Sequence, residues 1–521
     1  MPPDHLDRLP VSRGEFSVIA VLASLAVGLI AYFWVAYLGS DDQAYAGAAL
    51  DWLHHFPALG DNHWALRYLP VLPIAAAIGL LGPSTFALAL PNALAFGALL
   101  VAQYCFARAT FGWRTAAIGC LILIVLPAFL ELATYANPDM PEAAAVIISF
   151  WVFLRLDRTG RPFFLAILTG ILAGLAFLAR ETMLSLLLTY GLLFLFRPLI
   201  PRGRYVLMGL GFLLVVAPQV AYLTARTGNP FYRHAVSARA SASVVDRAGN
   251  LAEAQAQGFA FDAEGVLAVH PAIAPIAAVL VSPKFGLLFL LGIPAAIWLV
   301  RGGGGLNSRQ RRDVTLFALL ALVSFLFIAL NARALVLVPR YFVVAAVALS
   351  VPLAVAADRL LSLRPRWAVL GGMAYLGTCL ALLSLLNRAP LWPEETLVAL
   401  AARPGAAVYT DPRTANRAQF LLDLRGLTDR VKDTPPPPGA LFLAREDIVD
   451  FCLRRASCAW KDRAETFRVQ ASWTVVERFP APRRMAGDIL YLLRLQNHLP
   501  RDVVRKLANP SDDIVLYRVP G

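Results

Sequence analysis

The amino-acid sequence predicts an all-α polytopic membrane bundle of about 11 transmembrane helices, followed by a small C-terminal α/β domain. Three observations predict it. Of 521 residues, 58% are hydrophobic and only 16% charged, and the mean hydropathy is +0.62. A soluble chain of this length cannot hide so much apolar surface in one core. Apolar runs of membrane-crossing length, about 20 residues or somewhat fewer, recur at 16–38, 84–107, 114–130, 142–156, 163–179, 182–197, 205–225, 285–300, 314–331, 341–358 and 367–388. Beyond about Arg388 the pattern changes. Short apolar runs (Ala406–Thr410, Ala440–Ala444, Trp473–Val476, Ile489–Leu493) alternate there with helix-like stretches (Thr414–Leu424, Glu446–Arg455), with the tract Pro435–Pro438 between two of them. The expected domains are therefore residues 1–388, in the membrane, and 389–521, outside it.

The first run is preceded by a polar segment, Met1 to Glu15, and followed by no cleavage-site pattern, so it reads as an anchor rather than a removable signal. The stretch from Phe163 to Phe196 is too long for one helix and is broken by Arg180-Glu181. Its flanks, Arg155/Arg158/Arg161 and Arg197/Arg202/Arg204, are both Arg-rich. Cytoplasmic loops carry such excess, so the stretch crosses twice with Arg180-Glu181 at the outer turn. The same bias holds at Arg108/Arg114, Arg301/Arg309/Arg311/Arg312 and Arg359/Arg364/Arg366. It places the N-terminus inside and the C-terminal domain outside. Leu69 to Leu81 contains Pro70 and Pro73 and is about a dozen residues long, so it reads as an interfacial or re-entrant segment. The outer loops then run over about 39–83 and 226–284.

The formal charge is +13, almost all of it Arg, with Lys only at Lys284, Lys432, Lys461 and Lys506. Because the Arg residues fall in short links between apolar runs, with no basic stripe interleaved with aromatics, the charge speaks for membrane orientation and against nucleic-acid binding. Cys105, Cys120 and Cys379 lie in apolar segments as small hydrophobes, whereas Cys452 and Cys458 are able to pair if their domain is exported. Gly302–Gly305 lacks the Gly-Lys-Ser/Thr of a phosphate loop and reads as a turn.

Ionisable groups at a membrane boundary are costly to keep half-dehydrated and mark chemistry or ion handling. Asp41 and Asp42 directly follow the first span. The bland reading is a capping box, Ser40-x-x-Gln43, opening an interfacial helix on which Tyr45, Ala49 and Trp52 share a face. Two adjacent carboxylates exceed what a cap needs. Asp139 likewise reads either as the N-cap of a helix boxed by Glu142 or as a functional acid. Topology puts it on the outer face with Asp41, together with His63, Arg67, Arg180, Glu181, Arg333, Arg340 and Tyr341. The arginines are equally open to lipid-headgroup snorkelling. His54, His55 and His63 with Asp61 are a candidate divalent-metal set of irregular spacing. Carboxylates beside guanidinium groups at an apolar–aqueous boundary suit transfer from a lipid phosphate. The leaving phosphate needs guanidinium support and the acceptor hydroxyl a carboxylate base.

Six motifs follow one another along the chain: Asp41-Asp42-Gln43-Ala44-Tyr45-Ala46, the Pro-bearing segment ending Leu80-Leu81-Gly82, Ala107-Arg108-Ala109-Thr110-Phe111-Gly112, Pro127 ahead of a lone Asp139, Gly174–Glu181, and Arg340-Tyr341. Taken in order, they resemble the GT-C superfamily of polytopic glycosyltransferases, on the branch of the protein O-mannosyltransferases and lipid A aminoarabinose transferases. The resemblance covers about residues 16–390. It implies Asp41 as acceptor-activating base, Asp139 as a substrate-placing acid, and Arg340, with Arg67 or Arg180, holding a donor phosphate. Asp42 stands where the family often has Glu, which leaves open which acid of the pair is the base. The resemblance also implies a polyprenyl-phosphate sugar donor, an acceptor among envelope lipids or glycans such as lipid A or lipopolysaccharide, and a bacterial inner-membrane location. The rival reading is a transporter or lipid flippase, whose ionisable residues sit at the membrane midplane on broken helices, often within inverted repeats. Here the acids cluster at span ends and no repeat is visible.

Overall fold

Backbone polar groups in hydrocarbon have no water to pair with, so an apolar run that crosses a membrane must be helical. The computed structural model describes residues 11–158, 162–239, 273–331, 337–405, 407–454, 458–509 and 513–521. Arg161, Arg333, Ala406, Arg455, residues 1–10 and most of the expected outer loop 226–284 lie outside the described residues. Every expected span coincides with helix. These are α1 (Arg13–Tyr32), α4 (Thr85–Phe111), α5 and α6 (Trp113–Ile124, Pro127–Ala133), α7 (Asp139–Arg155), α8 (Pro162–Ala179), α9 (Leu184–Phe196), α10 (Arg202–Thr227), α12 (Leu288–Val300), α13 (Ser308–Leu330), α14 (Val343–Leu363) and α15 (Pro365–Ser384). Between the first two lie α2 (Asp41–His54) and α3 (Tyr68–Leu81), and α11 (Ala274–Leu280) precedes α12.

Among the described residues, seven helices are long and apolar enough to cross a membrane, and the pair α5/α6, bent by 71°, makes an eighth. The expected spans at α7, α9 and α12 are shorter helices of 17, 13 and 13 residues. The first span was expected to reach residue 38 but its helix stops at Tyr32. Beyond it Ala36 turns to φ 66° and donates its N–H to the Thr134 carbonyl at 2.7 Å, pairing with Tyr135 as a parallel bridge. That bridge lays the segment before Asp41 against the segment before Asp139.

Small residues let helices approach where lipid offers no hydrophobic drive between them. A Cβ on Gly170 of α8 would stand 1.9 Å from the Met208 carbonyl oxygen, and one on Gly211 of α10 would stand 2.1 Å from that of Ile167. The α8–α10 crossing therefore requires glycine on both sides. α14 is the central helix, with Val343 to Pro352 buried without interruption. α1 and α15 instead show Phe16, Val27, Trp367 and Met373 to the surroundings, as lipid-facing helices do. Cys105, expected inside, is exposed, while Cys120 and Cys379 are buried. At the Arg-rich ends the charges are partly neutralised: Arg158 pairs with buried Asp313, Arg312 with Asp157 at 2.7 Å, and Arg108 with Glu15.

The C-terminal region builds a five-stranded sheet from β1 (Val408–Thr410), β2 (Val431–Lys432), β3 (Leu441–Ala444), β4 (Thr474–Phe479) and β5 (Ile514–Arg518), in the order β2-β1-β3-β5-β4. β1 is parallel to both neighbours, and β5 runs antiparallel to β3 and β4. The run Ile489–Leu493 is not a strand: it lies within and just past α19 (Met485–Leu492), which packs with α20 (Arg501–Ala508). Its apolar residues are too few to distinguish the two periodicities. α16 (Trp392–Ala401), α17 (Pro412–Asp423) and α18 (Glu446–Arg454) complete the region, and Cys452 is joined to Cys458.

Candidate active site

The entry into α2 is built by Asp42 and not by a capping box, the bland reading of Ser40-x-x-Gln43. Ser40 makes no side-chain cap. The buried Asp42 carboxylate instead accepts backbone N–H groups from Leu38, from Ser40 at 2.7 Å and from Gln43 at 3.1 Å. Burial pushes its pKa up to about 6, against the pull of those N–H donors and with a further push from Asp41. Both of its oxygens accept from the loop that enters α2, so Asp42 holds that loop. Asp41, one residue earlier on the helix, points elsewhere and accepts from Arg340 Nη2 at 2.9 Å.

Of the two readings of Asp139, the N-cap boxed by Glu142 does not occur. Pro138 is the N-cap, Asp139 opens α7, and Glu142 accepts from the Thr182 hydroxyl. The loop before it is set by a buried amide network. Asn137 Nδ2 donates to the Leu132 and Tyr135 carbonyls at 2.7 and 2.8 Å, Asn137 Oδ1 accepts from Met140 N, and Asn92 donates to the Leu132 and Asn137 carbonyls. Asp139, only 3% exposed, accepts from Arg180 through Oδ1. Its Oδ2 is buried without a hydrogen-bond partner among the described residues, 3.8 Å from Arg340 Nε.

Arg340, on the turn Pro339–Phe342, therefore bridges Asp41 and Asp139 from two separate helix starts. Tyr341, the next residue, lies under the Arg180 guanidinium at 3.9 Å. Arg67 donates to the hydroxyl of buried Tyr45 at 2.8 Å. His63 stacks on Trp64 at 3.8 Å, and burial, then Arg67, lowers its pKa to about 4, so it is neutral near pH 7. For Glu181, burial pushes the pKa up, but Arg233 and Arg67 outweigh it and hold the carboxyl down at about 2.

Arg233 was not anticipated. It lies in the helical stretch 232–239, donates to Glu181 at 2.9 Å, to Gln219 at 3.2 Å and to the Phe177 carbonyl at 2.7 Å. A lone Arg in a long loop carries no sequence signal that would have found it. Arg417 on α17 was also missed. It donates to the Leu38 carbonyl at 3.0 Å through Nη2, pairs with buried Glu394 at 3.2 Å, and abuts Gly39, where a Cβ would meet the Arg417 Cβ at 2.8 Å. Gly39 sits at φ 63°, so the loop into Asp41 needs a residue without a side chain on both counts.

The histidines do not gather into the candidate metal set. His55 bonds Asp51 at 2.8 Å on the exposed side of α2, and no group of three or more His, Cys, Asp or Glu positioned for a metal exists among the described residues. A cavity of about 820 Å³ lies between α1, α4 and α5, lined by Leu22, Val27, Trp34, Phe86, Leu94 and other apolar groups. None of the charged residues above lines it.

Residues 69–222 match the family model for dolichyl-phosphate-mannose-protein mannosyltransferase. No curated protein matches the chain in sequence. Among solved structures, ArnT from Cupriavidus metallidurans in the apo state aligns with TM-score 0.58 at 15% identity, covering 97% of this chain and 98% of that one. The same protein bound to undecaprenyl phosphate aligns with TM-score 0.57 at 13% identity, over 96% and 97%. The Archaeoglobus fulgidus oligosaccharyltransferase in its apo form gives 0.52 at 15% identity, over 80% and 64%. The chain therefore shares the fold of these solved structures, its residues 69–222 resemble the mannosyltransferase family in sequence as the motifs led one to expect, and its apolar helices make it a multi-pass membrane protein.

Proposed function

We propose that this GT-C-fold protein is a glycosyltransferase that moves a sugar, hexosyl or pentosyl, from a polyprenyl-phosphate donor to a hydroxyl of an envelope lipid or glycan. The supporting observation is the Arg340 bridge between Asp41 and Asp139. A guanidinium shared by two carboxylates is neutralised until a stronger anion arrives. A lipid phosphate meets that description, since it accepts the planar fork bidentately. When it takes over Arg340, the Asp41 carboxylate is released to act as base.

The step then balances as an in-line displacement. Asp41 accepts the proton of the acceptor hydroxyl as its oxygen bonds to the anomeric carbon. The bond from that carbon to the phosphate oxygen breaks on the opposite face, and the electron pair leaves on polyprenyl phosphate beside Arg340, which inverts the anomeric centre. Asp139, held by Arg180, keeps Arg340 in place. Tyr45 with Arg67, neutral His63, Glu181 with Arg233, Tyr341 and, outside the described residues, Arg333 are the groups proposed to surround donor and acceptor. The apolar groove between α1, α4 and α5 is suited to a lipid tail.

The proposed location is a bacterial inner membrane with residues 389–521 in the periplasm. The Cys452–Cys458 disulfide supports that side, because such bonds persist in oxidising compartments. The test is Asp41→Asn in purified protein. Transfer from a synthetic polyprenyl-phosphate sugar should fall by about 10²–10⁴-fold while membrane insertion and donor binding persist. Undiminished turnover would remove Asp41 from the mechanism. Solute uptake by proteoliposomes without sugar transfer would favour a transporter instead.

A further inference from the structure

The parallel half of the C-terminal sheet is ordered β2-β1-β3. The chain leaves β1 to one side through α17 to form β2, then crosses back to place β3 on the other side. A cavity of about 600 Å³, a common size for a small-molecule site, opens past the carboxyl ends of β1 and β2 on the α17 side. Arg413, Asn416 and Gln419 of α17 line it, together with Asp433 just past β2 and Trp460 and Arg463 beyond α18. None of these belongs to the carboxylate–guanidinium cluster at the starts of α2 and α7.

The three α17 residues are spaced by three and so share a helix face. The Trp460 indole is half-buried and backed edge-on by buried Phe467 at 5.5 Å. The disulfide to Cys458 ties the loop that carries it to α18. Arg413 lies over the Phe451 ring at 4.4 Å, and the Gln419 amide donates to Asp423 at 2.9 Å. The ring, the guanidinium and the amide are thus held before any ligand arrives.

We propose that this crevice is a saccharide-binding site. A pyranose offers a flat C–H face and a rim of hydroxyls that both donate and accept. Trp460 matches the face. The amides of Asn416 and Gln419 do both, the Asp433 carboxylate accepts, and the guanidinium groups of Arg413 and Arg463 donate to hydroxyls or to an acidic substituent. A plain anion site would gain nothing from an indole and would be opposed by a carboxylate. If the transferase reading holds, the saccharide is that of the acceptor. The binding itself does not depend on that reading.

The experiment uses the full chain in nanodiscs, with and without Asp41→Asn, titrated calorimetrically with neutral oligosaccharides, uronic-acid-containing oligosaccharides and inorganic phosphate. Saccharide binding is expected in both backgrounds, weakened about tenfold or more by Trp460→Ala and by Asp433→Asn and largely kept in Trp460→Phe. Asn416→Ala, at an exposed position, should weaken it without affecting folding. Heat from phosphate equal to that from saccharides, or affinity unchanged in Trp460→Ala and Asn416→Ala, would overturn the proposal. So would the lack of binding by any saccharide. Binding retained where transfer is absent would separate it from the fate of the transferase reading.

Discussion

Arg340 donates to Asp41 at 2.9 Å with one nitrogen and faces Asp139 with another, a two-sided contact that a point charge cannot reproduce. Arg340→Lys keeps the charge and loses the fork, so sugar transfer should drop by about 10–100-fold, with the loss read in turnover on a synthetic donor. Asp42 behaves differently from its neighbour. Its folded pKa, about 6, lies above the ordinary 3.8, so between those values the unfolded chain gives up its proton while the folded one holds it. The contribution of Asp42 to stability is therefore greatest below pH 3.8 and is lost, by an amount of order 3 kcal/mol, as the pH rises through 6. Asp42→Asn lacks this term. The melting temperature of the native protein relative to that variant should decline from pH 4 to about 6.5 and level off above. A difference that does not move with pH would show that Asp42 is not the titrating group. The sequence pattern marked both acids and left their roles open. The structure gives them different partners, because consecutive helical residues point about 100° apart and only one of the two meets a partner 299 positions away.

At the scale of elements, the site depends on how helices begin. α2 and α7 each start with an acid, and the segments leading into them are joined by the Ala36–Tyr135 bridge. The approach to α7 is held by Asn137 and Asn92, both fully buried. Asn137→Ala leaves the Leu132 and Tyr135 carbonyls with fewer donors in an apolar setting. It should cost about 1–3 kcal/mol, read as a lower melting temperature, and reduce transfer more than it reduces folded yield, because Asp139 is two residues on. The spans were legible from hydropathy, since the need to close backbone hydrogen bonds within hydrocarbon is a local constraint. The end of α1 was not. Val35 to Leu38 are as apolar as the helix before them, and what ends it is a contact with a distant strand-like segment.

At the scale of the molecule, the C-terminal sheet is tied to the membrane site. Arg417 holds the Leu38 carbonyl, the Leu38 N–H goes to Asp42, and the Tyr37 ring packs on Phe420 at 5.2 Å. α17 therefore clamps the loop from which Asp41 emerges. If the proposed transferase reading holds, Arg417→Ala should lower turnover by about tenfold or more with the donor KM little changed, since the residue would act on the placing of the proposed base, Asp41, and not on the donor phosphate. Arg417→Lys should recover part of it. A KM effect alone would place Arg417 in donor binding instead.

The sequence by itself determined the bundle, the Arg-rich ends of its spans, the acids at the opposite ends and the polar C-terminal α/β region. Each of these follows from composition within a window of one element, where hydrophobic burial and backbone pairing act locally. Only the tertiary structure decided that Arg340 joins Asp41 to Asp139, that Asp42 accepts from the loop before α2, and that Arg233 and Arg417 reach back from remote segments. Those are pairings of charges whose energy depends on distance and desolvation across the fold. Neither quantity is encoded in the neighbours of any one residue.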